Sequence, residues 1–420
     1  MSFESIVTGI RAASFNLEVI GNNVSNAGTV AFKQSRANFA GVIQQALLGS
    51  GSGPETGVAI NGTTHAFSQG GIKVTENPLD LAINGNGFLT LRDASNNTFY
   101  SRAGDLDLDA DGFLVSKSGY QVQAFLPAAN GTISDVVGSL RVSDVSGPPA
   151  ATANVSIGAN LDSRALVPSV AWPATVSATT PVTTGMYNSS TTTTIFDSLG
   201  NQHKLDVYFI KGAAANTWKV RAVINGTTEL GTGTDVTFTA NGEIQNPTGT
   251  PTPPPTFPVT FPSWTPSAPA GAAAQVIKLD FEPLTQFSGR FAVSNLVQDG
   301  YTTGQLTGLK VDKEGIVKAQ LSNGQSVLLG QVALAKFRNN TALEPAGSNL
   351  WSASPASGVP QLGTPGSDGM GLVESGALEE SNVDVTEQLV EMITAQRNFQ
   401  ASVKALQTQD TITQTVINLR

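Results

Sequence analysis

Cysteine is absent from the 420-residue chain, which excludes disulfides, thiolate chemistry and cysteine-based zinc sites. Charge is scarce, with Asp, Glu, Lys and Arg together making up 13%, about half the usual share. The surface must therefore be largely uncharged and polar, and such a surface packs against copies of itself with little charge to desolvate. An ordinary secreted β protein with a neutral surface would show the same composition. The net charge of −9 argues against nucleic acid, because phosphate binding needs a basic face. No run approaches the ~18 apolar residues of a membrane span, so membrane insertion is not expected. Glu4 and Arg11 interrupt the N-terminus, which does not read as a cleavable signal. Of the two histidines, neither His65 nor His203 stands at a metal-ligand spacing. His203 follows a hairpin turn, where a solvated imidazole is expected. With no nucleophile elbow and no phosphate-binding glycine pattern, neither enzymatic activity nor a cofactor is expected.

What the chain does have is a helical seam at each end. Residues from Val385 to Leu419 read as one helix, uninterrupted by Gly or Pro. Asp384 is placed to cap it and Glu387 to complete a capping box. Its apolar seam runs Val385, Leu389, Met392, Phe399, Val403, Leu406, two positions in seven, which suits a helix packing on another helix. Gln396 and Asp410 break the seam, either as solvated positions or as residues that fix register. At the other end, Phe3, Ile10, Leu17 and Val24 repeat every seven residues, with Ile6, Ala13, Ile20 and Ala27 between them. This helix should start near Ser2 and end in GNNVSNAG. Paired, coiled-coil-like ends with the rest of the chain between them are the main pointer to function.

Between the ends the periodicity changes to two. Residues 31–48 read as a short helical piece, and LLGSGSGPETG (47–57) as a flexible linker. NPLDLAINGNGFLTLRD carries two turn signals, Asn84-Gly85 and Asn86-Gly87, between apolar runs. Strands follow at Thr98–Ser101, Leu106–Leu108, Phe113–Val115 and Gln121–Phe125. A second β region covers about 145–298, with a hairpin at 192–196 and 204–210 and strands near 217–224, 235–239 and 276–282. The proline-rich stretch between the last two, 247–269, reads as an extended surface loop, although its PxxP spacing also fits an SH3-type ligand. After 300 the first pattern returns. VDKEGIVKAQLSNGQ echoes LDADGFLVSKSGYQ, which suggests one β domain split by an insertion. The acidic run Asp105, Asp107, Asp109, Asp111 before Gly112 offers a calcium loop. Ser118 stands where its bidentate Glu is required, so a β-turn is the better reading.

LEVIGNNVSNAGTVAFK (17–33), NPLDLAINGNGF (77–88), YSRAGDLDLDADGFLV (100–115), LGQVALAKF (329–337) and SGALEESNVDVTEQLVEMITAQRNFQ (375–400) together resemble the bacterial flagellar rod/hook axial family, and its hook branch in particular. TTTTIFDSLGNQHKLDVYFIK (191–211) is similar to the inserted domain of that branch. The end motifs are shared with rod proteins, so a distal-rod-type axial protein is the alternative; length and the large insertion favour the hook. A β-stalked surface adhesin would explain neither seam. Ala31 departs from the Gly common before Phe-Lys, implying that no positive φ is needed there, and Phe399 replaces a common Tyr.

The resemblance implies a mainly antiparallel α+β, nested chain in which two inserted β domains follow paired terminal helices. The expected division is 1–30 with 382–420 as an inner-tube domain, 31–66 with 371–381 as a connecting segment, 67–144 with 299–370 as the first β domain, and 145–298 as an outer β domain. It implies a curved helical homopolymer that joins rod to filament as a universal joint and encloses the export channel. The expected partners are the chain itself, the distal rod, the hook cap during assembly, the hook-filament junction proteins and the type III export apparatus. The expected location is the extracellular side of the envelope. The subunit interface would draw on Phe3, Ile6, Ile10, Leu17, Ile20, Val24, Val385, Leu389, Met392, Phe399, Val403 and Leu406. An isolated helix with so narrow a seam is marginal, so both ends are expected to order as subunits assemble.

Overall fold

The computed structural model describes residues 3–42, 57–128, 131–142, 147–245, 258–266 and 271–418. They form an α+β structure dominated by antiparallel strands, with a long helix at each end: α1, Phe3–Ser25, and α2, Val385–Asn418. Asp384 caps α2 as its sequence suggests, its Oδ1 accepting the N–H groups of Thr386 at 2.8 Å and Glu387 at 3.2 Å.

Two compact units make up the chain. One holds both ends, residues 1–145, 307–320 and 326–420; the other, 146–306 with 321–325, is inserted in it. In the first unit, strands from both sides of the insertion share one 13-stranded sheet. Ser326–Val332 pairs with Gln121–Pro127, and Leu350–Ser352 with Thr98–Ser101. Their alternating inward residues build a common core of Leu89, Leu91, Leu114, Val122, Val317, Val332 and Leu334, all nearly or wholly buried. Leu81–Asn84 and Phe88–Arg92 flank the expected Asn-Gly turns but do not pair with each other. The first pairs with Leu372–Ser375 and the second with Thr98–Ser101, while Gly85 and Gly87 take positive φ to carry the chain between sheets. The acidic run is a hairpin turn: Asp109 Oδ1 accepts the N–H groups of Asp111 and Phe113 at 3.0 and 2.7 Å.

The second unit stacks a five-stranded sheet on a six-stranded antiparallel one around a single core that includes Val155, Ile157, Leu205, Phe209, Trp218 and Leu279. The expected hairpin is present as Ser189–Phe196 with Gln202–Lys211. His203 is not solvated. It is buried, its ring between Asp197 Oδ2 and Asn225 at 3.1 Å each and edge-on to Trp264, because these residues from other parts of the chain cover it. Residues 246–257 and 267–270 of the proline-rich stretch lie outside the described residues. Phe261 and Trp264 within it are buried, so that part is anchored to the core rather than an extended surface loop.

Two further expectations change near the ends. Residues 35–42 are not helical but a strand, β1 (Ser35–Val42), paired antiparallel with β2 (Gly57–His65). This hairpin packs on α1, and main-chain pairing outweighs the weak helical pattern of SRANFAGV. Residues 43–48, and the linker up to 56, lie outside the described residues. Ala31 does adopt a positive φ, 53°, while only 2% exposed. The turn after α1 needs the left-handed conformation whether or not glycine supplies it.

Candidate assembly interface

Helices α1 and α2 pack on each other. Asn23, near the end of α1, meets Gln388 in the first turn of α2, and Asn16 shares a groove with Ala395 and Asn398 two turns further on. The helices therefore run antiparallel. At 1.5 Å per residue the 34-residue α2 spans about 51 Å and the 23-residue α1 about 35 Å, so α2 outruns its partner. Residues 410–415 are accordingly all exposed.

The buried and half-buried side of α2 is Gln388, Met392, Ala395, Phe399, Ser402, Leu406 and Gln409, an unbroken alternation of four and three. It keeps Met392, Phe399 and Leu406 of the expected interface, with Val403 half-buried at its edge. Val385 and Leu389 lie off it, 43% and 46% exposed, beside Ile393 at 51% and Val390 at 61%. Val385, Leu389 and Ile393 stand at i, i+4 and i+8, so they form an apolar flank next to the seam. Gln396 and Asp410 are exposed, away from the seam. On α1, Ile6 and Ile20 are buried while Ile10, Leu17 and Val24 are half-buried. Phe3 opens the helix, and its side chain lies outside the described residues. Hydrophobic counting missed Ala12, Val19 and Asn23, which are buried because α1 is covered by the β1–β2 hairpin as well as by α2.

Where the helices leave the β structure, the chain is tied in a knot of buried charge. Lys33 Nζ reaches Glu379 Oε1 at 2.6 Å and Ser68 O at 2.8 Å, with both ionic side chains fully buried. Arg102 Nη1 lies 3.4 Å from Glu379 Oε2, and the same guanidinium donates to the carbonyls of Ile83 and Gly85. The Gly70 N–H completes the shell of Glu379 at 2.9 Å. A Cβ at Gly70 would collide with the Glu380 carbonyl, so glycine permits this approach. Burial pushes Lys33 and Arg102 below their ordinary pKa values, while Glu379 pulls both back up. The left-handed turn at Ala31 delivers its N–H to Glu379 O at 2.8 Å and points Lys33, two residues on, at the Glu379 carboxylate. Asn382 adds a second tie, accepting from Gln34 N–H at 2.7 Å and donating to Ala66 O at 2.8 Å. None of these pairings was legible beforehand. Yet Lys33, Arg102 and Glu379 each sit in a segment that carried the family resemblance, and in so sparsely charged a chain that is the signal.

The chain matches three family models along its length: the flagellar hook protein FlgE/F/G D1 domain over residues 82–160, the flagellar basal body protein FlaE D2 domain over 160–301, and the flagellar basal body rod FlgEFG protein C-terminal model over 374–419. It is 35% identical over 428 residues to the flagellar hook protein FlgE of Escherichia coli strain K12 and 36% identical over 432 residues to that of Salmonella typhimurium, covering 100% of both chains in each case. The flagellar hook protein FlgE of Treponema pallidum is 31% identical over 470 residues, which cover 100% of this chain and 99% of that one. In fold the chain is similar to the crystal structure of Helicobacter pylori flagellar hook protein FlgE2, at a TM-score of 0.50 and 16% identity over 73% of this chain and 100% of that one. Full-length relatives named as hook proteins do not favour the rod alternative. Paired terminal helices, nested β units and matches from end to end agree: the chain belongs to the flagellar hook protein FlgE family.

Proposed function

We propose that this hook subunit polymerises by seating the apolar flank of α2 against the terminal helices of neighbouring copies, so that α1 and α2 together build an inner tube around the export channel. Hook proteins are structural, non-enzymatic subunits, and self-assembly is their role. The carrying observation is the flank Val385, Leu389, Val390 and Ile393, between 43% and 61% exposed on a helix whose seam is already occupied by α1. A second copy supplies the matching surface in a polymer of identical chains. The interface then draws on Val385 and Leu389 between subunits. Ile6, Ile10, Leu17, Ile20, Val24, Met392, Phe399, Val403 and Leu406 serve the pairing of α1 with α2, and Phe3 is assigned to the same interface by its heptad position in the sequence alone.

In this reading residues 1–30 with 382–420 form the inner tube, 31–66 with 371–381 connect it to the first β domain of 67–144 with 299–370, and 145–298 form the outer domain. The tube continues the distal rod, grows under the hook cap, ends at the junction proteins and lies on the extracellular side of the envelope. Its subunits arrive through the flagellar export apparatus. The weakly charged surface lets neighbours slide without fixed ion pairs, which suits a curved, rotating universal joint.

The test is charge on the flank. Leu389→Arg and Ile393→Arg should give soluble monomers with unchanged β-sheet circular dichroism that form no tubes under polymerising conditions. Tubes of normal yield from both variants overturn the proposal.

A further inference from the structure

The heptad side of α2 is nearly degenerate. Sliding α1 by seven residues exchanges Met392 for Phe399 and Phe399 for Leu406, so apolar burial distinguishes poorly between registers. One contact does distinguish them. Asn23 is 1% exposed and Gln388 is wholly buried, and Asn23 Nδ2 donates to Gln388 Oε1 at 2.9 Å. The rest of the Asn23 amide is committed to β1, donating to Ser35 O at 2.8 Å and accepting Ser35 N–H at 2.9 Å. Gln388 Nε2 donates to Glu391 Oε2 at 2.9 Å.

Asn23 therefore joins α1, β1 and α2 in one hydrogen-bonded unit. A slip of one heptad would place it against Ala395, which offers no side-chain acceptor. It would also leave Gln388 buried or stranded without its donor. A buried amide without a partner is what the wrong register would cost, whereas the apolar seam would be nearly indifferent.

We infer that Asn23 and Gln388 are positioning residues that set the register of the terminal helix pair, and so which face of α2 is presented to the next subunit. The inference concerns α1 and α2 within one chain. It rests on the proposed assembly only for its consequence in the tube.

Because the chain has no cysteine, introduced pairs report cleanly. Asn16→Cys with Ala395→Cys reads the native register, and Asn16→Cys with Ser402→Cys reads a one-heptad slip. Seven residues of helix are about 10.5 Å, and a disulfide tolerates Cα separations of no more than ~7 Å, so one register cannot form both. Intrachain cross-links are scored on denaturing gels of the full chain whether or not it has polymerised, so a failure of assembly and a failure of register are separate results.

In the parent background the 16/395 link should dominate. Adding Asn23→Leu with Gln388→Leu, or Gln388→Leu alone so that the Asn23 clamp on Ser35 is kept, should raise the share of the 16/402 link on the order of tenfold. An unchanged ratio of the two links in both backgrounds overturns the inference and assigns register to the connecting segments.

Discussion

Removing the Glu379 carboxylate should be among the most damaging single changes available to this chain. In Glu379→Ala the Lys33 ammonium, fully buried, and the Arg102 guanidinium, 5% exposed, lose their shared counter-ion, and the Gly70 N–H loses its acceptor. Breaking a buried ion pair by deleting one partner costs roughly 3–5 kcal/mol, because the other charge stays behind without compensation. Here two charges stay behind, although Arg102 keeps the carbonyls of Ile83 and Gly85 and the face of Phe88. The expected loss is therefore near 4 kcal/mol for the unit that carries the terminal helices. That is a large share of the 5–15 kcal/mol typical of a domain. Urea unfolding of the soluble full-length chain, followed by circular dichroism, measures it. Combining Glu379→Leu with Lys33→Met should recover most of the loss, since an apolar pair of similar volume replaces the ion pair. A Glu379→Ala variant within about 1 kcal/mol of the parent would refute the reasoning, and the triad would then have to be hydrated in solution.

Three other outcomes follow from the same structure. Ala31→Gly should change stability by less than about 1 kcal/mol, because relief of the left-handed strain is offset by glycine's chain entropy and the lost methyl; Ala31→Val should cost more than about 2 kcal/mol, and equal tolerance of both in thermal melts would contradict the strained turn. Burial pushes the Asp197 carboxyl up, but hydrogen bonds from Asn201, His203 and Leu199 outweigh it and hold the group at about 2, below the ordinary 3.8. Its folded-state pKa is depressed, so its stabilisation is present above pH ~4 and is lost as pH falls toward 2. That loss is about 1–2 kcal/mol after allowance for solvent screening. Trp172, Trp218 and Trp264 all lie in the inserted unit, so tryptophan fluorescence during guanidinium titrations should show this acid limb, and Asp197→Asn should flatten it. Finally, amides at 5–20 and 390–415 should exchange more slowly in polymer than in monomers, because neighbouring subunits add support to a helix pair that is marginal alone; equal protection in the two states would contradict assembly through these helices.

The architecture was legible because its signals are local and periodic. Strand boundaries such as 98–101, 106–108 and 217–224 follow from short apolar-polar runs bounded by turn residues. The extent of α2 follows from its cap and its freedom from Gly and Pro. The failures share a different cause. The β1–β2 ribbon, the burial of His203, the buried face of α1 and the Lys33–Arg102–Glu379 knot are all decided by partners tens to hundreds of residues away, to which periodicity is blind. The seam of α2 was half legible for the same reason. Counting apolar residues found Met392, Phe399 and Leu406 but passed over Gln388, Ala395 and Ser402, whose burial depends on what α1 brings to them.

Assembly through the terminal helices places them in the wall between subunits. Electron cryomicroscopy of tubes grown from the purified full-length chain tests this most directly. The prediction is a curved tube whose inner wall is α1 paired antiparallel with α2, with Leu389 and Ile393 buried against a neighbouring subunit's helices. A straight tube, persistent monomers, or a wall in which that flank remains exposed to solvent would contradict it.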